Sequence, residues 1–170
     1  MHKIDDKLTN VTARIKEAAL AAGRNPESVR LIAVSKTQSA EMVAAAYACG
    51  QRAFGENYLQ EALDKQTALA NLSDIEWHFI GPIQSNKTRA IAENFTWIHS
   101  IDREKVAQRL NEQRPKNLLP LQVCLQVNID DESTKSGVSL EDCDCICAAQ
   151  SQLTYSLCSA ASAVAANIML

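Results

Sequence analysis

The sequence predicts an α/β fold in which repeated strand–helix units build a parallel sheet. Three observations carry this expectation. Apolar runs of strand length, such as Leu31-Ile32-Ala33-Val34, lack polar alternation and so read as strands covered on both faces. Strand starts near residues 31, 52, 76, 97 and 121 recur every 21 to 24 residues. Helix-spaced segments fill the intervals between them. Units of this kind suit either a (β/α) barrel or a doubly wound open sheet. No Gly-x-Gly-x-x-Gly or P-loop pattern follows any strand, which weakens the nucleotide-binding open sheet. A full barrel of eight units needs about 250 residues. The 170 residues here are expected to form about five of the eight strands, an incomplete barrel.

The elements follow in order. Ile4, Leu8, Val11, Ile15 and Ala18 have helical spacing, and Gly23 is placed to stop that opening helix. The first strand runs into Ser35-Lys36-Thr37. Ser39 is an N-cap for a helix through Ala48, ended by Gly50. Arg52 to Glu56 is the second strand, and Asn57 is expected to cap the next helix, with Glu61 and Lys65 paired at i,i+4. Glu76 to Ile80 is the third strand, with a helix near Asn86 to Asn94. Trp97 to Ile101 is the fourth, after which Asp102 is expected to cap a helix ending around Arg114-Pro115. Leu121 to Ile129 is the fifth and most apolar.

Composition limits the function classes. With 46% hydrophobic and 22% charged residues, this is an ordinary globular chain of about one domain. A net charge of −3 argues against a nucleic-acid footprint, which needs a basic face. Met1-His2-Lys3-Ile4-Asp5-Asp6 is polar and acidic, unlike a secretory signal. The expectation is a cytoplasmic chain with reduced thiols and no membrane contact.

The last part of the sequence differs from the rest. After Asp144 no charged residue occurs, the last Gly is Gly137 and the last Pro is Pro120. The chain is therefore divided into a partial barrel, 1–142, and an atypical Cys/Ala/Ser-rich tail, 143–170. The tail could be one helix covering the open barrel edge, or a membrane tail, for which it is too polar. The favoured reading is a tail of separate origin, as a shifted reading frame would give. Cys143, Cys145, Cys147 and Cys158 lack the paired Cys-x-x-Cys spacing of structural zinc sites, and no metal is expected. His2, His78 and His99 also lack metal-ligand spacing. No Gly-x-Ser-x-Gly elbow supports a serine hydrolase.

Lys36 is the leading candidate site residue. Ile32, Val34 and Lys36 share one strand face, so an ammonium stands at the carboxyl end of a strand, where α/β folds build binding sites. Desolvation there favours a neutral amine, which attacks aldehydes; pyridoxal phosphate is the leading partner. The competing reading is a lysine that snorkels into water. Asn57, in Gly55-Glu56-Asn57-Tyr58, can donate to an anion or phenolic oxygen, or simply cap a helix. His78, in Trp77-His78-Phe79-Ile80-Gly81-Pro82, can contact a cofactor ring or be an ordinary core residue. Gln84-Ser85-Asn86-Lys87 could bind an anion. Lys135, in Ser133-Thr134-Lys135-Ser136-Gly137, is a second rim lysine.

Together these segments resemble the pyridoxal phosphate homeostasis protein family, over about residues 1 to 140. The resemblance implies a barrel like the N-terminal domain of alanine racemase, without that enzyme's second domain. It implies that Lys36 holds pyridoxal 5'-phosphate as a Schiff base, with Asn57 and His78 near the cofactor. It also implies a monomeric carrier or buffer that delivers the cofactor to apoenzymes, and no turnover. The family's phosphate cup and the arginine facing the pyridine nitrogen belong to the last strands, and no Arg follows Arg114 here. Gln38 stands where many relatives carry a second lysine. Weakened cofactor binding is therefore expected. The alternatives are a nonfunctional fragment of such a protein and a racemase-like enzyme.

Overall fold

Two packing demands shape this chain: strands buried on both faces, and helices that must each hide one apolar stripe. The computed structural model describes residues 2–128, 136–139, 143, 146 and 153–156. Its strands are β1 (Ala33–Val34), β2 (Ala53–Glu56), β3 (Glu76–Phe79), β4 (Trp97–Ile101), β5 (Leu121–Leu125) and β6 (Leu153–Ser156). All pair in parallel, and their order across the sheet is their order in the chain. A doubly wound sheet reverses direction at a switch point. This one does not, so the sheet is an arc of barrel type.

The helices are α1 (His2–Ala21), α2 (Ala40–Ala48), α3 (Leu59–Ala68), α4 (Thr88–Asn94) and α5 (Glu104–Gln113). Among the described residues no helix is long and apolar enough to cross a membrane. Val43 and Ala46 of α2, Ala62 of α3, Ile91 and Ala92 of α4, and Val106, Ala107 and Leu110 of α5 form the buried stripes. They join a core that includes Phe54, Phe79, Ile98, Leu121 and Val123. Phe79 meets Phe95 edge-on, with centroids 5.2 Å apart. The registers Phe54↔Trp77 and Ile98↔Val123 place these side chains on the sheet face opposite to Val34, Gly55 and His78.

Several local expectations hold. Ser39 caps α2, its oxygen accepting from the Met42 amide at 3.4 Å, and Gly23 follows α1 at φ +66°. Others are corrected. Asn57 does not cap α3: the capping position is Tyr58, with no side-chain cap bond. Asp102 does not cap α5, whose capping position is Arg103, also without a side-chain bond. In both cases the strand exit runs one residue further before the helix begins. The β1 ladder is confined to Ala33–Val34, although the Ser35 amide still donates to the Gly55 carbonyl at 2.9 Å. A sixth strand, β6, lies within the 143–170 stretch and pairs Leu153 with Leu121 and Ser156 with Cys124.

Gly81 marks the tightest backbone approach of these strand exits. A Cβ there would stand 2.5 Å from the Asn57 carbonyl oxygen and 2.9 Å from its Cα. Gly81→Ala must therefore push β3 off the end of β2. It is expected to lower unfolding free energy by about 1–3 kcal/mol, read by urea melts. Thr37 is the described non-glycine residue with positive φ, at +62°. Thr37→Asn, which tolerates that region better, should raise stability by about 0.5–1 kcal/mol in the same assay.

Candidate functional site

Lys36 sits inside a tight turn at the carboxyl end of β1. The Gln38 amide donates to the Ser35 carbonyl at 3.1 Å, so Lys36 and Thr37 are the central residues. Thr37 pays for this geometry with a left-handed backbone that a β-branched residue rarely adopts. Its hydroxyl donates to the Lys36 carbonyl at 2.6 Å, and its amide donates to Glu61 Oε2 of α3 at 3.1 Å. Lys36 itself is half-buried, and among the described residues its ammonium has no hydrogen-bond or salt-bridge partner.

Behind this turn lies a buried charged cluster. Lys65 Nζ of α3 donates to Glu56 Oε1 at 2.8 Å and to the Ser35 carbonyl at 2.7 Å. Ser35 Oγ donates to the same Glu56 oxygen at 2.6 Å. The Glu56 side chain is fully buried and that of Lys65 is 7% exposed. The expected Glu61–Lys65 surface pair is thus replaced. Lys65 faces the sheet, where a buried carboxylate needs a cation, and Glu61 turns to the Thr37 amide.

The opposite sheet face carries His78 of β3. Its ring lies nearly parallel to Trp97 of β4, at 8° and 5.7 Å between centroids. His78 Nδ1 is 2.9 Å from His99 Nε2, and His99 Nδ1 is 3.8 Å from Cys124 Sγ of β5. Burial holds the His78 pKa down to about 3, with His99 and Arg30 adding to the effect. Burial also lowers that of His99. Both rings are therefore neutral at neutral pH, and one proton serves the contact between them. His78 Nε2 is buried and has no partner among the described residues.

Asn57 follows β2 at the rim that carries the Lys36 turn, and its buried Oδ1 also lacks a partner among the described residues. It lines a groove of about 440 Å³ together with Tyr58, Phe79, Gln84 and Lys87. The anion-binding candidate Gln84-Ser85-Asn86-Lys87 is a turn before α4, with Gln84, Asn86 and Lys87 exposed. Lys36 and His78 do not line this groove. His78 lies on the sheet face of Val34 and Gly55, while Lys36 follows the carboxyl end of β1 and Asn57 that of β2, at the same rim. Lys135 lies outside the described residues, as do Cys145, Cys147 and Cys158; Cys143 is buried, its Sγ donating to the Ser139 carbonyl at 3.3 Å. No cluster that could hold a metal occurs among the described residues.

Four participants were not singled out from the sequence: Glu56 and Lys65 behind the lysine turn, and His99 and Cys124 beside His78. A signal for two of these contacts was present. Ser35–Glu56 and His78–His99 are each separated by 21 residues, one strand repeat. In a parallel sheet of that period, such residues fall on neighbouring strands.

What remains chemically available is a primary amine at a strand end, an unpartnered ring nitrogen, an unpartnered amide oxygen and a flat His–Trp stack. That set fits an aromatic aldehyde with polar ring substituents. One prediction concerns His78. Its folded pKa lies below the unfolded value near 6.5, so the unfolded chain takes up a proton first as pH falls. The stability it contributes is complete above that value and is lost as pH falls towards about 3. The slope is at most about 1.4 kcal/mol per pH unit. Urea melts from pH 7 to 4 should show it, and His78→Gln should remove that component.

Comparison with known proteins agrees with this geometry. A family model described as the alanine racemase N-terminal domain matches residues 7–161. A pyridoxal phosphate homeostasis protein of Pseudomonas aeruginosa is 60% identical over 153 residues, 90% of this chain and 66% of that protein. One from Escherichia coli K12 is 50% identical over 155 residues, again 90% of this chain and 66% of the relative. The chain thus spans just under two thirds of the length of these relatives. PipY of Synechococcus elongatus, solved without PLP, superposes with TM-score 0.69 and 40% identity over 84% of this chain and 67% of its own. Its form with PLP bound gives 0.61 and 42%, over 72% and 57%. Alanine racemase from E. faecalis shares the fold at TM-score 0.59 with 18% identity over 85% of this chain and 39% of its own. From sequence identity, family match and sheet order together, the chain belongs to the pyridoxal phosphate homeostasis protein family, built on the alanine racemase N-terminal fold.

Proposed function

We propose that this chain carries the lysine-bearing part of a pyridoxal 5'-phosphate carrier, one that buffers the cofactor and passes it to apoenzymes in the cytoplasm without turning over a substrate. The observation that carries the reading is the Lys36 turn. An ammonium without a partner among the described residues is held on a tied backbone at the carboxyl end of β1, the rim of the sheet that also carries Asn57, with the unpartnered Nε2 of His78 on β3. When bound, pyridoxal phosphate supplies an aldehyde that condenses with a lysine amine. Lys36 is the residue to receive it. His78 and Asn57 are the residues whose open polar atoms would receive the ring substituents, and stacking on Trp97 fixes the orientation of the His78 ring.

His78 supports the reading without turnover: burial keeps it neutral at neutral pH, so it has no imidazolium proton to give a substrate carbon. The exposed free thiol of Cys49 supports a reducing compartment. The family name of the relatives and the PLP-bound form of PipY point to the same ligand.

The test uses the 170-residue chain. Pyridoxal phosphate is added, the excess removed, and the visible spectrum taken before borohydride reduction and peptide mass mapping. The expected result is a visible band and a reduced adduct on the Lys36 peptide, formed at least about tenfold more slowly in other peptides. Lys36→Ala should remove the rapid phase. Labelling scattered over exposed lysines, with none at Lys36, would overturn the reading. Amino acids incubated with the loaded chain in deuterium oxide should exchange their α-proton no faster than with free cofactor. Faster exchange would move the assignment to a racemase-like enzyme.

A further inference from the structure

The buried Lys65–Glu56–Ser35 cluster is on the far side of β1 and β2 from the site, so it touches no ligand there. Its geometry nevertheless converges on one residue. Ser35 carries four hydrogen bonds: its amide to Gly55, its hydroxyl to Glu56, and its carbonyl receiving both the Gln38 amide and Lys65 Nζ. Thr37, on the other side of Lys36, is tied through its amide to Glu61. Glu61 and Lys65 are one helical turn apart on α3, so one rigid helix grips both neighbours of Lys36.

A buried ion pair is costly, and an apolar pair of similar volume is often as stable or more so. Stability alone is therefore a weak reason for burying Glu56 and Lys65. We propose that Lys65, with Glu56, Ser35 and Glu61, positions Lys36: α3 fixes the turn so that the lysine side chain leaves the strand in one direction. Lys65 and Glu61 are positioning residues in this scheme and take no part in bond making. The inference rests on the reading of Lys36 as the cofactor lysine.

The step that reports on it is simple. Lys36 Nζ adds to the aldehyde carbon of pyridoxal phosphate, one water leaves, and a C=N bond forms. Borohydride then delivers hydride to that carbon while nitrogen takes a proton from water, leaving a stable secondary amine. The rate of this trapping at Lys36 is compared with thermal unfolding in four proteins: the parent, Lys65→Met, the double variant Glu56→Leu/Lys65→Met, and Glu61→Gln.

Lys65→Met strands a buried carboxylate and should melt at markedly lower temperature. The double variant removes both charges and should melt within a few degrees of the parent, about the shift of 1 kcal/mol. Its trapping rate at Lys36 should nonetheless fall at least about tenfold, because the lysine is no longer aimed. Glu61→Gln, which keeps an acceptor for the Thr37 amide, should retain the parent rate. A folded double variant that is trapped at the parent rate would overturn the inference while leaving the carrier reading intact. A parent chain that gives no Lys36 adduct would overturn the carrier reading, and this inference with it. If the double variant fails to fold, Ser35→Ala, which deletes only the hydroxyl bond to Glu56, gives the same comparison: a slower rate supports positioning, an unchanged rate refutes it.

Discussion

A carboxylate sealed from water must be matched or the chain will not bury it, and Glu56 is sealed completely. That single constraint reaches far. It draws Lys65 from the surface to the inner side of α3, and so sets the rotation of that helix against the sheet. The same ammonium caps the Ser35 carbonyl, joining β1 to α3 across 30 residues. With α3 turned this way, Glu61 reaches the Thr37 amide and holds the backbone there in a left-handed conformation. The lysine turn is thus a consequence of pairing a buried charge.

The two faces of the sheet divide the work. The helix-facing side is apolar apart from the Ser35–Glu56–Lys65 cluster and Ser100, and it supplies the packing that holds the arc together. The other side bears His78, Trp97, His99 and Cys124, a set poorly suited to a dry core. His78 and His99 each stack on Trp97, and burial keeps both imidazoles uncharged at neutral pH. Two of its neighbours in the site, His78 and Asn57, leave polar atoms open. Cores seldom tolerate such atoms without a purpose.

The sequence announced what depends on local chemistry. The Ser39 cap of α2, the glycine stop after α1 and the strand period all follow from residue type and spacing. Lys36 became a candidate from its place after an apolar run, and the family resemblance, not the run, chose it over a solvated lysine. The sequence misjudged Asn57 and Asp102 as caps, because capping rules describe a helix by itself and here the strand exit takes precedence. The Glu61–Lys65 pair failed for the same reason: the i,i+4 rule ignores a sheet lying beneath the helix. Strand β6 does alternate, in Leu153-Thr154-Tyr155-Ser156, but without the Gly, Pro or charged punctuation of the earlier units the alternation was passed over, and its place shows in the pairing with β5. His99 was dismissed as a metal ligand and so overlooked as a neighbour of His78.

The strand order has a further meaning for how the protein is made. Because each strand pairs with its predecessor in the chain, every new unit can dock on one already synthesised, without waiting for distant sequence. Lys36, its grip on α3, Asn57 and His78 all fall within β1 to β3 and the exits that follow them. The lysine turn and its supporting helix can therefore assemble on the ribosome well before β5 emerges. A translating polysome could present the reactive amine to small aldehydes while the rest of the sheet is still being added.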